Sequence, residues 1–367
     1  MNKLAWEVNL SFYEGRGTVG YEIRLVYPAE ETMSIKTAKL GESGLLLTEM
    51  GFGGAPLGGI GRRASDDQAM EILKVAFESG IRYFDTAPLY GHGLSEKRIG
   101  KFLNTVPRDS FVLSTKVGRL LVPEEEGIRD QMMLDEEPLS IKYDYSYQGA
   151  RRSLEASMTR LGIDHIDLLL CHDIDKWTHG DGQPEILKKA QQGILPALCD
   201  LRSEGVIRAI GLGVNESEVC NQIMNNFDMD CFLLAGRFTL LEQGPLDDLL
   251  PRCIDNNVSI IIGGPYNSGM LASAQRGNAT YDYKPVDDLR WEKAQKIRRV
   301  CDAHGVDLRA AALQFPLRHP AVVSIIPGVW RMEELRSNLN FLDADIPGSL
   351  WKDLSDADLL RVDGLDL

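Results

Sequence analysis

The stretch Ile81-Arg82-Tyr83-Phe84-Asp85-Thr86-Ala87-Pro88-Leu89-Tyr90-Gly91 decides how the chain is read. Its apolar run, residues 81–84, has strand character, and Thr86-Ala87-Pro88 is turn text leaving it. A carboxylate, Asp85, and a phenol, Tyr90, therefore fall at the C-terminal end of a strand. In a parallel α/β barrel, that end carries the active site.

Two more runs end the same way. Phe111-Val112-Leu113-Ser114-Thr115-Lys116 reads as a buried strand ending on a lysine, and Asp167-Leu168-Leu169-Leu170-Cys171-His172 as one ending on a histidine. Taken singly, each residue has an ordinary structural role. Lys116 is a snorkelling strand-end lysine, His172 a hydrogen-bonded core histidine, Tyr90 a loop aromatic and Asp85 a turn former. Their order, and their shared place at strand ends, set them apart.

The segments FDTAPLYGHGLSEKRIG (84–100), FVLSTK (111–116) and RLGIDHIDLLLCHD (160–173) resemble the aldo-keto reductases, over roughly residues 36–341. The resemblance implies a (β/α)8 TIM barrel with an N-terminal β-hairpin at the barrel bottom, here around residues 40–45. It also implies a catalytic tetrad of Asp85, Tyr90, Lys116 and His172. The chemistry is consistent with that set. Moving hydride between a nicotinamide and a carbonyl carbon needs a group that exchanges a proton with the oxygen. A free tyrosine titrates near ~10, so a neighbouring ammonium should favour its phenolate, and a buried carboxylate should hold that ammonium. Tyr90 is then the acid/base, Lys116 its tuner, Asp85 the partner of Lys116, and His172 the holder of the substrate oxygen.

The composition narrows the classes. With 367 residues, 44% apolar and 26% charged, the chain can bury one large core. A net charge of −14 and the absence of any basic run argue against nucleic acid. Six cysteines without a C-x-x-C pair read as reduced core thiols. No apolar stretch nears the ~18 residues of a membrane span, so a cytoplasmic protein is expected. Residues 1–35 read as an extension, either loose, a mis-called start, or an extra strand pair. Residues 36–367 read as a single barrel domain.

Several loops carry expectations. The glycines of residues 53–59 lack a phosphate-loop ending and suggest close approach of the chain to a ligand. Residues 117–147 form a long acidic insert on the catalytic rim, of the kind that is either a functional lid or disordered. His172, Asp173, Asp175 and His179 have no common zinc spacing, and no metal is expected.

The resemblance assigns cofactor contacts as well. Asn215 is placed to hold a nicotinamide carboxamide, and Arg237 is either a ligand or half of an ion pair. The loop after residue 263, with Gly264, Tyr266, Ser268, Gly269 and Leu271, is similar to the family's pyrophosphate loop. Gly263 stands where relatives carry a stacking tyrosine, so that contact is lost or is supplied by Tyr266. Gly328, Arg331, Glu334 and Asn338 fall in the adenosine-binding segment. Relatives that prefer NADP place a lysine and an arginine where this chain has Gly328 and Glu334. A carboxylate suits a ribose hydroxyl and repels a phosphate, so NAD is expected over NADP, with Arg331 the residue most able to reverse it.

Tyr143-Asp144-Tyr145-Ser146 with Arg151-Arg152-Ser153-Leu154-Glu155 resembles the family's sugar- and pyridoxal-oxidising branch. The resemblance implies an NAD-dependent oxidoreductase taking an aldose hemiacetal, such as L-fucose or D-arabinose, to its lactone. Rivals are oxidation of pyridoxal to its lactone, general NADPH-dependent aldehyde reduction, and a nicotinamide-binding regulatory subunit without catalysis.

Overall fold

Eight short parallel strands with almost wholly buried side chains form one ring. They are β1 (Phe52–Gly53), β2 (Tyr83–Asp85), β3 (Val112–Val117), β4 (Leu168–His172), β5 (Ala209–Val214), β6 (Cys231–Ala235), β7 (Ser259–Gly263) and β8 (Val322–Ile326). Each pairs with the next, and bridges Met50↔Ile325 and Gly53↔Gly328 close β8 onto β1. This computed structural model describes residues 7–15, 18–26, 35–60, 63–129 and 137–367.

Alternation along the strands explains why both faces are apolar. Tyr83, Leu168, Leu170, Ala209, Cys231, Leu233 and Ile261 point into the ring and pack with Leu40, Leu45 and Leu47 of the hairpin Thr37–Leu40 and Leu45–Thr48. Intervening residues such as Leu169, Ile210, Leu212, Phe232 and Ile260 meet the surrounding helices. The barrel's bottom is thus plugged by side chains of the hairpin that the sequence placed there.

The same parity builds the top. Asp85 lies two residues beyond inward-facing Tyr83, and His172 two beyond inward-facing Leu170. Lys116 lies two beyond Ser114, whose hydroxyl is 3.0 Å from the Tyr83 phenol. Asp85, Lys116 and His172 therefore form the last inward layer at the C-terminal rim.

Helix Asp66–Glu78 shows how local sequence sets an outer layer. Ser65 and Gln68 make a reciprocal capping box, and Ala69, Ile72, Leu73 and Ala76 form its buried stripe. The first barrel strand is short because Leu45–Thr48 pairs within the hairpin. After β4 come the helical turn Lys176–His179, capped by Asp175, and helix Gln183–Gln192. Pro316 ends helix Leu308–Gln314.

The rim insert is partly ordered into a ladder, Arg119–Pro123 against Leu139–Tyr143. Residues 130–136 of that insert lie outside the described residues, as do 1–6 and 27–34 of the N-terminal extension. Within the extension, Glu7–Gly15 pairs antiparallel with Thr18–Val26. Among the described residues no helix is long and apolar enough to cross a membrane.

Candidate active site

The four tetrad candidates converge. Lys116 Nζ lies 2.7 Å from Asp85 Oδ2 and also donates to the Thr86 carbonyl at 2.9 Å. Both side chains are almost wholly buried. Ser114 donates to the second Asp85 oxygen at 2.7 Å, so the carboxylate is fully engaged. The Lys116 ammonium sits 4.9 Å from the centre of the Tyr90 ring. Tyr90 meets the His172 ring edge-on, with centroids 6.1 Å apart. A Cβ on Gly213 would come within 3.1 Å of Lys116 Cε, which is why β5 carries glycine beside the lysine.

The glycine cluster of residues 53–59 makes close approaches within the chain. A Cβ on Gly54 would lie 2.5 Å from the Asp85 carbonyl, and one on Gly58 would lie 2.3 Å from the Tyr90 carbonyl carbon. These glycines let the β1 exit press against the backbone carrying Asp85 and Tyr90.

Electrostatics correct the expectation for Tyr90. Burial raises its phenol above the ordinary value, and the Lys116 ammonium opposes that shift only in part. For Lys116, burial pulls downward, but Asp85 and Tyr90 outweigh it and keep the amine an ammonium. His172 is held well below its ordinary value by burial, with Arg119 and Lys116 adding to the effect. The site therefore holds a protonated phenol, an ammonium and a neutral imidazole at neutral pH.

A second cluster escaped the sequence reading. Arg119 Nη2 donates to Asp173 Oδ2 at 2.6 Å, and Asn215 Nδ2 donates to Asp173 Oδ1 at 3.0 Å. Tyr145 OH reaches the Asp173 carbonyl at 2.8 Å, as does His179 Nε2. Tyr143 stacks on Tyr145 and lies under the Arg119 guanidinium, 5.4 Å from the ring centre. Asp144 accepts from Ser146 N, and Ser146 caps helix Tyr147–Leu161. Tyr143-Asp144-Tyr145-Ser146 is therefore the mount on which the end of β4 rests. The signal lay in the register. Leu170 pairs with Lys116, so Asp173 and Arg119, each three residues further on, leave adjacent strands at the same level.

The remaining candidates line the rims of β5 to β8. Asn215 donates from its backbone and its amide to Asp175 as well as to Asp173. Arg237 makes a two-pronged pair with Asp282 at 2.9 and 3.0 Å, the ion-pair alternative of its two readings. After β7, Gly264, Asn267, Ser268 and Gly269 all have positive φ. Within this turn Asn267 donates its N–H to the Gly264 carbonyl and Met270 to the Asn267 carbonyl. Gly269 and Leu271 donate their own N–H groups to the Tyr266 carbonyl, and the Leu271 side chain is buried. Tyr266 OH donates to Asn338 at 2.8 Å, tying the β7 exit to helix Met332–Leu342. Arg331 is the exposed N-cap of that helix, and Glu334 accepts from Trp330 N at 2.8 Å. A Cβ on Gly328 would lie 2.7 Å from Pro56 Cγ, so no side chain fits there. The β7 exit is thus a tight, internally bonded turn, and the β8 exit carries exposed Gly328 with the Glu334 carboxylate nearby in sequence.

Comparison with known proteins agrees with this geometry. The profile of the Aldo/keto reductase family matches residues 49–358. A D-threo-aldose 1-dehydrogenase from a Pseudomonas species is 40% identical, over 87% of this chain and 96% of its own. A pyridoxal 4-dehydrogenase from Microbacterium luteolum is 39% identical, over 88% and 97%. Among solved structures, an aldo-keto reductase from Bacillus halodurans superposes with TM-score 0.69 at 23% identity, covering 89% of this chain and 97% of its own. A glycerol dehydrogenase from Gluconobacter oxydans gives TM-score 0.69 at 20% identity, covering 88% and 95%. The chain belongs to the aldo/keto reductase family and is a nicotinamide-dependent oxidoreductase on a (β/α)8 barrel.

Proposed function

We propose that the protein is an NAD-dependent dehydrogenase that oxidises the hemiacetal carbon of an aldose to its lactone. The observation that carries this is the Lys116 ammonium, held 2.7 Å from Asp85 and set against Tyr90 with neutral His172 alongside. The bound dinucleotide supplies the hydride acceptor. His172 holds the C1 oxygen, and Tyr90 takes the hydroxyl proton as C1 loses hydride and its C–O bond becomes the lactone carbonyl. Lys116 steadies the phenolate that must form for this, and Asp85 keeps Lys116 charged and in place. The substrate class follows the aldose-oxidising relative at 40% identity. A reduced-nicotinamide absorbance assay with a panel of aldoses and pyridoxal tests it. Turnover of pyridoxal alone transfers the assignment to that substrate, and binding of NAD without turnover of either leaves a regulatory binder.

The state of Tyr90 sets the pH dependence. Oxidation needs the phenolate, and the phenol titrates above its ordinary value. The phenolate fraction then grows about tenfold per pH unit below that value, so kcat for oxidation should still be climbing at pH ~9. Aldehyde reduction, which uses the phenol, should stay flat over the same range. A plateau in oxidation below pH ~8 contradicts the assignment.

Asn215 and Arg237 would border the nicotinamide. Gly264, Tyr266, Ser268, Gly269 and Leu271 would shape the pyrophosphate turn, and Gly328, Arg331, Glu334 and Asn338 the adenosine shelf. Bare Gly328 and the Glu334 carboxylate favour a ribose hydroxyl over a phosphate. Titration of the protein with each dinucleotide should give a Kd for NAD at least about tenfold below that for NADP, and Glu334→Gln should narrow the gap. Tighter binding of NADP by the unaltered protein overturns the preference.

A further inference from the structure

The end of β4 is built with more care than a lone proton-exchanging group requires. Asp173 has a left-handed backbone, φ 47°, a conformation aspartate tolerates better than most residues. Its N–H donates to the Gly213 carbonyl at 2.8 Å, and its own carbonyl is held by Tyr145 and His179. The fold-back carries its carboxylate to 3.5 Å from His172 Nε2. Arg119 and Asp173 are 5% and 7% exposed, so the ion pair between them is desolvated. Such a pair seldom stabilises a fold better than apolar side chains of equal volume. Its place on the catalytic rim, in contact range of the imidazole, points to recognition instead.

We propose that the Arg119–Asp173 pair is the hydroxyl-recognition element of the site. Asp173 accepts from, and Arg119 donates to, the hydroxyl on the sugar carbon next to the one that loses hydride. The proposal rests on the aldose reading above. In a sugar, oxygens on adjacent carbons lie about a hydrogen-bond length apart. Asp173 Oδ2 stands 3.5 Å from His172 Nε2, so with the C1 oxygen on His172 a hydroxyl on the next carbon is within reach of the carboxylate. A hydroxyl is both donor and acceptor, and a carboxylate beside a guanidinium satisfies both roles at once. A substrate lacking that hydroxyl forgoes both contacts, which makes such sites strict.

The test is a substrate-by-variant cycle. kcat/KM for an aldose and for its 2-deoxy counterpart is measured with the unaltered protein, Asp173→Asn and Arg119→Lys, alongside calorimetric Kd values for the two corresponding lactones. The unaltered protein should favour the hydroxylated sugar by about 100-fold or more, and Asp173→Asn should cut that preference to below about tenfold, with the lactone Kd ratio shrinking in parallel. If Asp173→Asn does not fold, Arg119→Lys is read the same way. Equal use of the two sugars by the unaltered protein, or a preference that survives substitution intact, overturns the pair's role alone. Failure of the unaltered protein to oxidise any aldose overturns the activity reading, and the recognition element with it.

Discussion

Tyr90→Phe should lower kcat by about 10³–10⁴-fold while leaving the Kd for NAD within about threefold. The substitution removes one oxygen from a ring that otherwise stays packed between Lys116 and His172. Among the described residues the neighbouring phenols are otherwise occupied: Tyr83 OH is engaged by Ser114, and Tyr145 OH by the carbonyls of His172 and Asp173. Rapid-mixing turnover with calorimetric cofactor binding checks both halves. A kcat within a few-fold of the unaltered protein removes Tyr90 from the mechanism.

Lys116→Met should have two separable consequences. Asp85, 2% exposed, loses the ammonium 2.7 Å away and becomes an uncompensated charge in the barrel. Breaking a buried pair in this way costs about 3–5 kcal/mol, so denaturant unfolding should show a loss of that size. Turnover should also fall by at least about 10²-fold, because nothing then steadies the phenolate. Asp85→Asn combined with Lys116→Met replaces the charged pair by neutral groups of similar shape. The double variant should regain most of the stability and none of the turnover. Recovery of turnover along with stability would mean that Lys116 serves the fold alone.

Why the tetrad was legible and the Arg119–Asp173 pair was not has a physical explanation. A strand that faces both a packed interior and a helix layer must be apolar along its length. A polar residue at its C-terminal end therefore stands out in the text, as Asp85, Lys116 and His172 do. Arg119 and Asp173 lie just past such ends, in turn and loop sequence where charges are common. Only the strand register brings them level, and register is not visible in local periodicity. The glycines at 54 and 58 carry a related ambiguity. A missing side chain signals close approach without naming the partner, and the Asp85 and Tyr90 backbone is one that only the structure reveals. The sign of the Tyr90 shift was also hidden. The sequence displays the ammonium that lowers it, but not the depth of burial that outweighs it.

In the proposed reaction, C1 of an aldose gives up hydride while Tyr90 takes the hydroxyl proton. Incubating the protein with NAD and an aldose deuterated at C1 addresses it directly. Mass spectrometry should find the deuterium in the reduced dinucleotide and a lactone as the sugar product. Deuterium retained in the sugar, or no reduced dinucleotide from any aldose, would contradict the account.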